Sequence, residues 1–457
     1  MNKINAIFER ILKTVKPRED EIAIINSTVN EMMSRLKKVA GNDVEIMLTG
    51  SVARGTNVRG NYDIDIFLLF KNNISEEEME KQGIEIAKKT IKKHRNETYV
   101  IKYAEHPYLM LNMNDRGITI DLVPSFKIKD ASERVSAVDR TQLHNQFINS
   151  NFNEKLRDDV RLLKTFLASN GIYGAEARIE GFSGYLCELL IFHFGSFSKF
   201  LSAVSSLKLP AVIDIKNNNS IQGMQADFVK KFSKDFIVID PVDENRNVAA
   251  NVSSESLSLL MLKARKFLAE PSISAFYGPK FSDVDSKAQI KKIREGLGLD
   301  VYVLTFKVPD IAEDIIWQQI KKMRKRIEEV LKQSNFAPEL SFQNISDRFG
   351  IISFFINPIR CNSKKVAGPQ IIMANSVDAF MKKHRKPFVF IEGDKIYSMQ
   401  KQVYTLPEEL LREIANKKII EFPSYIKKEK IYFYKNKIPE QYAKILNQVI
   451  RTKLLWQ

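Results

Sequence analysis

Apolar side chains recur at helical spacing at Ile4, Ile7, Phe8, Ile11, Leu12 and Val15, so the chain opens on a predicted helix. Lys16-Pro17-Arg18 interrupts it, because proline has no backbone N–H to continue the ladder. Ile25, Val29, Met32, Met33, Leu36 and Val39 predict a second helix. Apolar and β-branched runs at Val44–Leu48, Asp63–Phe70, Thr98–Tyr103, Tyr108–Asn112 and Ile118–Val123 predict five strands. A lysine-rich helix over Glu77–His94 separates the second from the third, and Asn114-Asp115-Arg116-Gly117 is a turn joining the last two as a hairpin. To about residue 145 the pattern is an α/β mixture around one small sheet.

Beyond it the periodicity changes. Leu156–Asn170, Gly184–Phe194, Phe197–Leu207 and Ser254–Leu268 predict helices, while Ile237–Asn251 is dense in turn residues and reads as irregular. Pro271–Lys280 reads as a linker. Alternation returns with a strand at Val301–Phe306, a helix at Ile315–Gln333, strands at Phe336–Phe342 and Arg348–Ile356, then a mixed, basic tail. The expected architecture is α+β and multidomain: a sheet-bearing domain over 1–145, a mainly helical one over 146–280, and an α+β region over 281–457.

Composition narrows the functional classes. A chain of 457 residues, 44% of them apolar, can bury sizeable cores and is not a disordered tail. A net charge of +16 favours a polyanionic partner or an anionic membrane surface. The longest apolar stretch, Tyr185–Phe194, is broken by Glu188 and too short to span a bilayer, and the first twenty residues carry acids and no long apolar run. Neither a membrane span nor a signal peptide is expected. Cys187 and Cys361, the two cysteines, predict no disulfide framework or zinc site, which fits a cytoplasmic location. Residues 361–457 hold 19 Lys and Arg against 9 Asp and Glu, so most of the basic surplus lies in the last fifth of the chain.

The chemistry concentrates at Asp63-Ile64-Asp65. Residues two apart on a strand share a face, about 6.6 Å apart along the backbone. The flanking Ile66–Phe70 marks a buried strand, where unpaired acids are costly, and Asp121 repeats the situation inside Ile118–Val123. Three carboxylates from two strands are what a pair of Mg²⁺ ions needs for in-line phosphoryl chemistry. A bare Asp-x-Asp is more often a surface or capping pair, but the upstream context differs. Gly50-Ser51-Val52-Ala53-Arg54-Gly55-Thr56 follows the first strand and can aim backbone N–H groups, a hydroxyl and a guanidinium at phosphate oxygens.

GSVARGTNVRGNYDIDIFLLF resembles the catalytic signature of the polymerase-β-type nucleotidyltransferase superfamily. KYAEHPY, SAVDRT, LLKTFLASNGIYGAEARIEGFSGYLCELL and DPVDENRNVAAN further resemble the archaeal-type (class I) CCA-adding enzymes, which are tRNA nucleotidyltransferases. The resemblance is specific through about residues 45–255 and weaker to the C-terminus. It implies a polymerase-β-type palm, a helical central domain and a C-terminal RNA-binding body and tail. It also implies template-independent addition of C, C and A to tRNA 3′ ends from CTP and ATP, with two Mg²⁺ ions as cofactors.

Position by position, the resemblance makes Asp63, Asp65 and Asp121 the metal-binding catalytic carboxylates. Many relatives have Glu-Ile-Asp, so Asp63 is a shorter arm. Ser51, Arg54, His144, Lys164 and Tyr173, with Thr141 nearby, become triphosphate contacts, and Arg246 reads the incoming base. Read alone, Lys164 is a lysine snorkelling beside an apolar helix stripe, Tyr173 a packed cap, and Arg246 a loop salt bridge. Asp240 and Asp243 read as turn residues. Lys382, Lys383, Arg385 and Lys386, and Lys427 and Lys428, are candidate tRNA contacts. A homodimer is compatible with the sequence. A poly(A)-synthesising relative shares the palm and would extend any RNA with ATP alone; a non-catalytic RNA-binding protein on a decayed palm is countered by the three intact carboxylates.

Overall fold

Five strands form the sheet that organises the first part of the chain. The computed structural model describes residues 2–60, 62–91, 96–103, 106–216, 225–278, 285–309, 311–346, 349–384 and 388–453. These belong to two compact units, Met1–Lys280 and Phe281–Gln457. In unit 1, helices α1 (Asn2–Val15) and α2 (Glu19–Ala40) precede β1 (Val44–Thr49), the single helical turn α3 (Gly50–Ala53), and β2 (Asp63–Phe70). Then come α4 (Glu76–Lys89), β3 (Glu97–Tyr103), β4 (Pro107–Met113) and β5 (Ile118–Phe126). The strand order is β1-β2-β5-β4-β3, with β2 and β5 parallel and the other neighbours antiparallel. Ile64, Ile66, Leu68, Leu109, Leu111, Ile120 and Leu122 line one sheet face and join a core with Val29, Met32 and Leu36 of α2 and Met79 of α4. The period of two therefore turns Asp63, Asp65 and Asp121 to the other face.

The helical part of unit 1 comprises α5 (Thr141–Asn151), α6 (Glu154–Ser169), α7 (Gly184–Phe194), α8 (Phe197–Ser205) and α10 (Ser254–Ala269). Between α8 and α10 lie β6 (Ala211–Asp214), α9 (Gln225–Phe232), β7 (Phe236–Asp240) and β8 (Asp243–Asn247). Its core contains Leu163, Phe166, Cys187, Leu190, Phe197 and Phe267. Helix α1 packs Phe8, Ile11 and Val15 into this core rather than beneath the sheet, since the Lys16-Pro17 break separates it from α2. Two expectations change here. The segment Ile237–Asn251 is not irregular: β6, β7 and β8 make a three-stranded sheet, and β8 escapes strand patterning because Asp243 and Asn247 are buried polar residues. The expected linker Pro271–Lys280 begins with a 3₁₀ turn, Ile273–Phe276, and Phe276 packs against Phe8, Phe166, Phe197 and Phe267; residues 279–280 lie outside the described residues. Among the described residues no single helix is long and apolar enough to cross a membrane.

Unit 2 has α11 (Ser286–Leu297), β9 (Asp300–Lys307), α12 (Glu313–Gln333), β10 (Leu340–Ser346) and β11 (Phe349–Ile356). A smaller sheet follows from β12 (Ser363–Gln370), β13 (Phe388–Glu392) and β14 (Lys395–Lys401), with α13 (Ala374–Lys383) packed on β12. The chain ends with α14 (Pro407–Ala415), α15 (Ser424–Lys427), β15 (Tyr432–Lys435) and α16 (Glu440–Lys453). The strand expected at Phe336 starts later, at Leu340. Asn335 has φ +58, Phe336 N–H donates to Leu331 C=O to close α12, and Phe336 is buried beneath that helix end. Residues 361–457 are not a separable tail either. β15 returns to pair with β9, and Leu410, Leu411 and Ile414 of α14 share a core with Tyr302 and Phe354.

Candidate functional site

The site is built where β1 ends. Gly50 has φ +74, a conformation that favours glycine, and a Cβ there would lie 1.8 Å from Asp65 Oδ2. The chain can turn into α3 and still leave room for the Asp65 carboxylate only because Gly50 has no side chain. Asp65 stands in register with Asp121 across the parallel β2–β5 pair, and Asp63 opposite Thr119 lies one pleat away on the same face. Burial raises the pKa of Asp63. Burial also lifts Asp65, against the pull of Arg54 and with the push of Asp63, to about 6. Asp121 is pushed to about 7 by burial, then by Asp65 and Asp63, with Lys102 opposing. Among the described residues no ion pair neutralises any of the three, and Asp121 Oδ1 is buried without a hydrogen-bond partner. An all-oxygen donor set with uncompensated negative charge and an orphaned buried lone pair fits hard divalent cations.

Next to the carboxylates the loop after α3 is tied to the helical part. Arg157 Nε donates to Arg54 C=O at 3.0 Å, and Arg161 Nε to Asn57 C=O at 3.1 Å. The Arg54 guanidinium is buried and pairs through Nε with Glu188 Oε2 at 2.9 Å. Thr56 Oγ1 also donates to Glu188. Lys164 is 3% exposed; its ammonium donates to Thr56 C=O at 3.0 Å and Thr56 Oγ1 at 3.2 Å, and lies 4.0 Å from Glu188. Burial lowers its pKa, with Glu188 opposing. The snorkelling geometry read from the α6 stripe is thus replaced by an inward one, because a fully buried carboxylate on α7 supplies a partner. Tyr173 sits beside Lys164 against Gly184, and burial raises its pKa. Ser51 lies half-buried on α3 and Thr141 half-buried at the start of α5.

The last group surrounds Asp240, which is fully buried at the end of β7. His144 Nε2 lies 3.0 Å and Arg246 Nη1 2.8 Å from its Oδ2; Tyr185 Oη donates to Oδ1 at 3.0 Å and Val242 N–H at 3.1 Å. The Tyr185 ring stacks on the His144 imidazole, centroids 3.9 Å apart. Burial alone would raise Asp240, but the bonds from His144 and Arg246 outweigh it and hold the carboxyl at about 2. Burial lowers His144 despite Asp240, so the pair rests as a carboxylate and a neutral imidazole. Asp240 is therefore more than a turn residue. Asp243, the other expected turn residue, is buried and pairs with Arg140 at 2.8 Å and Arg134 at 3.5 Å. Sequence reasoning missed the partners of both Glu188 and Asp240. The available signal was an acid inside the apolar run Tyr185–Phe194 and another closing the buried strand Phe236–Asp240, each needing a counter-charge.

In unit 2, Lys382 and Lys383 end α13 and are exposed, as are Lys427 and Lys428 around the end of α15. Lys430 lies over the Tyr432 ring, 4.9 Å from its centroid. Arg385 and Lys386 lie outside the described residues.

Three family models match this chain: a nucleotidyltransferase domain over residues 27–144, the second domain of tRNA nucleotidyltransferase over 158–277, and the C-terminal domain of CCA-adding enzyme over 298–428. A CCA-adding enzyme of Archaeoglobus fulgidus is 35% identical over 91% of this chain and 90% of its own length. The chain belongs to the CCA-adding enzyme family. A second such enzyme, from Methanocaldococcus jannaschii, is 34% identical over 93% of this chain and 94% of its own. A solved structure of Cid1, an RNA terminal uridylyl transferase, aligns at TM-score 0.49 and 12% identity over 62% of this chain and 100% of its own, too loose to weigh beside the family match.

Proposed function

We propose that this chain completes tRNA 3′ ends by adding C, C and A from CTP and ATP without a nucleic-acid template, releasing pyrophosphate at each step. It is an enzyme, a tRNA nucleotidyltransferase, as family membership requires. The observation that carries the chemistry is the trio Asp63, Asp65 and Asp121, converging on one sheet face with no ion pair among the described residues to neutralise them.

Asp63, Asp65 and Asp121 hold two Mg²⁺ ions, whose chemistry when bound is to acidify the attacking 3′-hydroxyl and to neutralise the leaving pyrophosphate. Ser51, Arg54, Thr141 and His144 hold the triphosphate in line with that hydroxyl. Lys164 and Tyr173 support the same end from behind the Thr56 loop, where low dielectric strengthens their pull. Arg246, together with the growing RNA end, reads the incoming base. Residues 1–145 act as the palm, 146–280 recognise the nucleotide, and 281–457 hold tRNA through Lys382, Lys383, Arg385, Lys386, Lys427 and Lys428. The partners are tRNA, CTP and ATP, in the cytoplasm and away from any membrane.

Asp65→Asn and Asp121→Asn test the assignment, since each keeps side-chain volume and removes one charge from the metal site. Nucleotide incorporation should fall by roughly a hundredfold or more in each, with tRNA affinity unchanged. Near-normal incorporation by Asp65→Asn would overturn the two-metal reading.

A further inference from the structure

Two residues given different tasks above, Arg246 at the base and His144 at the triphosphate, meet at one atom. Both point a nitrogen at Asp240 Oδ2, at 2.8 and 3.0 Å, and stand 3.5 Å from each other. The remaining oxygen, Oδ1, is taken by Tyr185 Oη and Val242 N–H, so each oxygen of the carboxylate has two partners. Tyr185 also fixes the imidazole plane by stacking. Arg246 is 32% exposed, so one end of its guanidinium is anchored in the interior while the rest reaches solvent.

We infer that Asp240 is a positioning residue that couples base selection to triphosphate binding, an inference that rests on the roles proposed for Arg246 and His144. A guanidinium pulled out of line by a wrong base shifts its bond to Oδ2, and among the described residues the only other side chain on that oxygen is His144. A wrong nucleotide is then held less well at its phosphates as well as at its base, which enlarges discrimination beyond what one arginine supplies. Any acceptor lone pair left unpaired on the buried carboxylate adds to the penalty.

The test is Asp240→Asn, which preserves shape but places an amide where an acceptor is needed. The ratio of kcat/KM for CTP over UTP should fall by about tenfold, and KM for CTP should rise while tRNA affinity holds. Adding Arg246→Ala to Asp240→Asn should lose no more selectivity than Arg246→Ala alone, since coupled residues are not additive. An unchanged selectivity ratio in Asp240→Asn, with Arg246→Ala losing selectivity, overturns the coupling and leaves the proposed function standing. Unchanged selectivity in Arg246→Ala overturns the base-reading assignment and the coupling with it. If Asp240→Asn does not fold, Tyr185→Phe keeps the stack and removes one donor from Oδ1; a selectivity loss of about threefold supports the coupling and none overturns it.

Discussion

Asp65 and Asp121 ionise reluctantly, at about 6 and about 7, because burial opposes it, with Asp63 pushing both upward and Asp65 also pushing Asp121. Their unfolded values lie near ~3.9. The linkage sign follows: a carboxyl raised on folding favours the fold while protonated, and that contribution is lost as pH rises through the folded pKa. The metal-free protein should therefore lose stability between about pH 4 and 7 through this site, and Mg²⁺ should restore it only where the carboxylates are ionised. Thermal unfolding should show a Mg²⁺-dependent rise in Tm at pH 8, of about 2–4 °C, that is absent at pH 5 and absent in Asp121→Asn at either pH. An equal Mg²⁺ effect in Asp121→Asn would place the cation elsewhere. These acids were legible in the sequence because each interrupts a buried strand pattern. Asp240 was not, because it precedes Pro241 and does serve a turn through Val242, while its decisive partner His144 lies 96 positions away.

At the scale of elements, the β1–α3 turn ties backbone conformation to the proposed metal site. Gly50→Ala should be costly twice over, from a positive φ and from a Cβ at 1.8 Å from Asp65 Oδ2. Incorporation should drop by roughly tenfold or more as Asp65 is displaced, while near-normal activity would mean the turn relaxes without moving the carboxylate. The buried Glu188 plays the matching part on α7, holding Arg54 and Lys164; removing one partner of such a pair costs about 3–5 kcal/mol because the others stay buried and uncompensated. Strands β4 and β5 and helices α1 and α2 were legible because single-face burial imposes clean periodicity, while β2 and α7 were legible as continuous apolar runs buried all round. β8 was not, since Asp243-Glu244-Asn245-Arg246-Asn247 buries polar side chains that find partners only in the folded chain. The start of β10 was misplaced because Phe336 is apolar for the sake of the α12 cap.

Over the whole molecule, the basic surplus of residues 361–457 and the proposed catalytic face lie in different compact units. The composition made a polyanionic partner legible, but not that β15 and α14 are built into the unit 2 core, so truncation near residue 360 would strip that core as well as the basic surface. Charge neutralisation is the cleaner probe. Lys382→Ala with Lys383→Ala should lower tRNA affinity and reduce the slope of log affinity against log salt by about two, and an unchanged slope would remove α13 from the tRNA surface. The most direct test of the proposed activity uses the intact enzyme, Mg²⁺ and a tRNA that ends just before its CCA, supplied with CTP, ATP, UTP and GTP singly and together. Sequencing the products should show two C residues with CTP alone, and C, C and A with no further extension when all four are present. Unlimited extension with ATP alone, or incorporation of UTP or GTP at comparable rates, would contradict it.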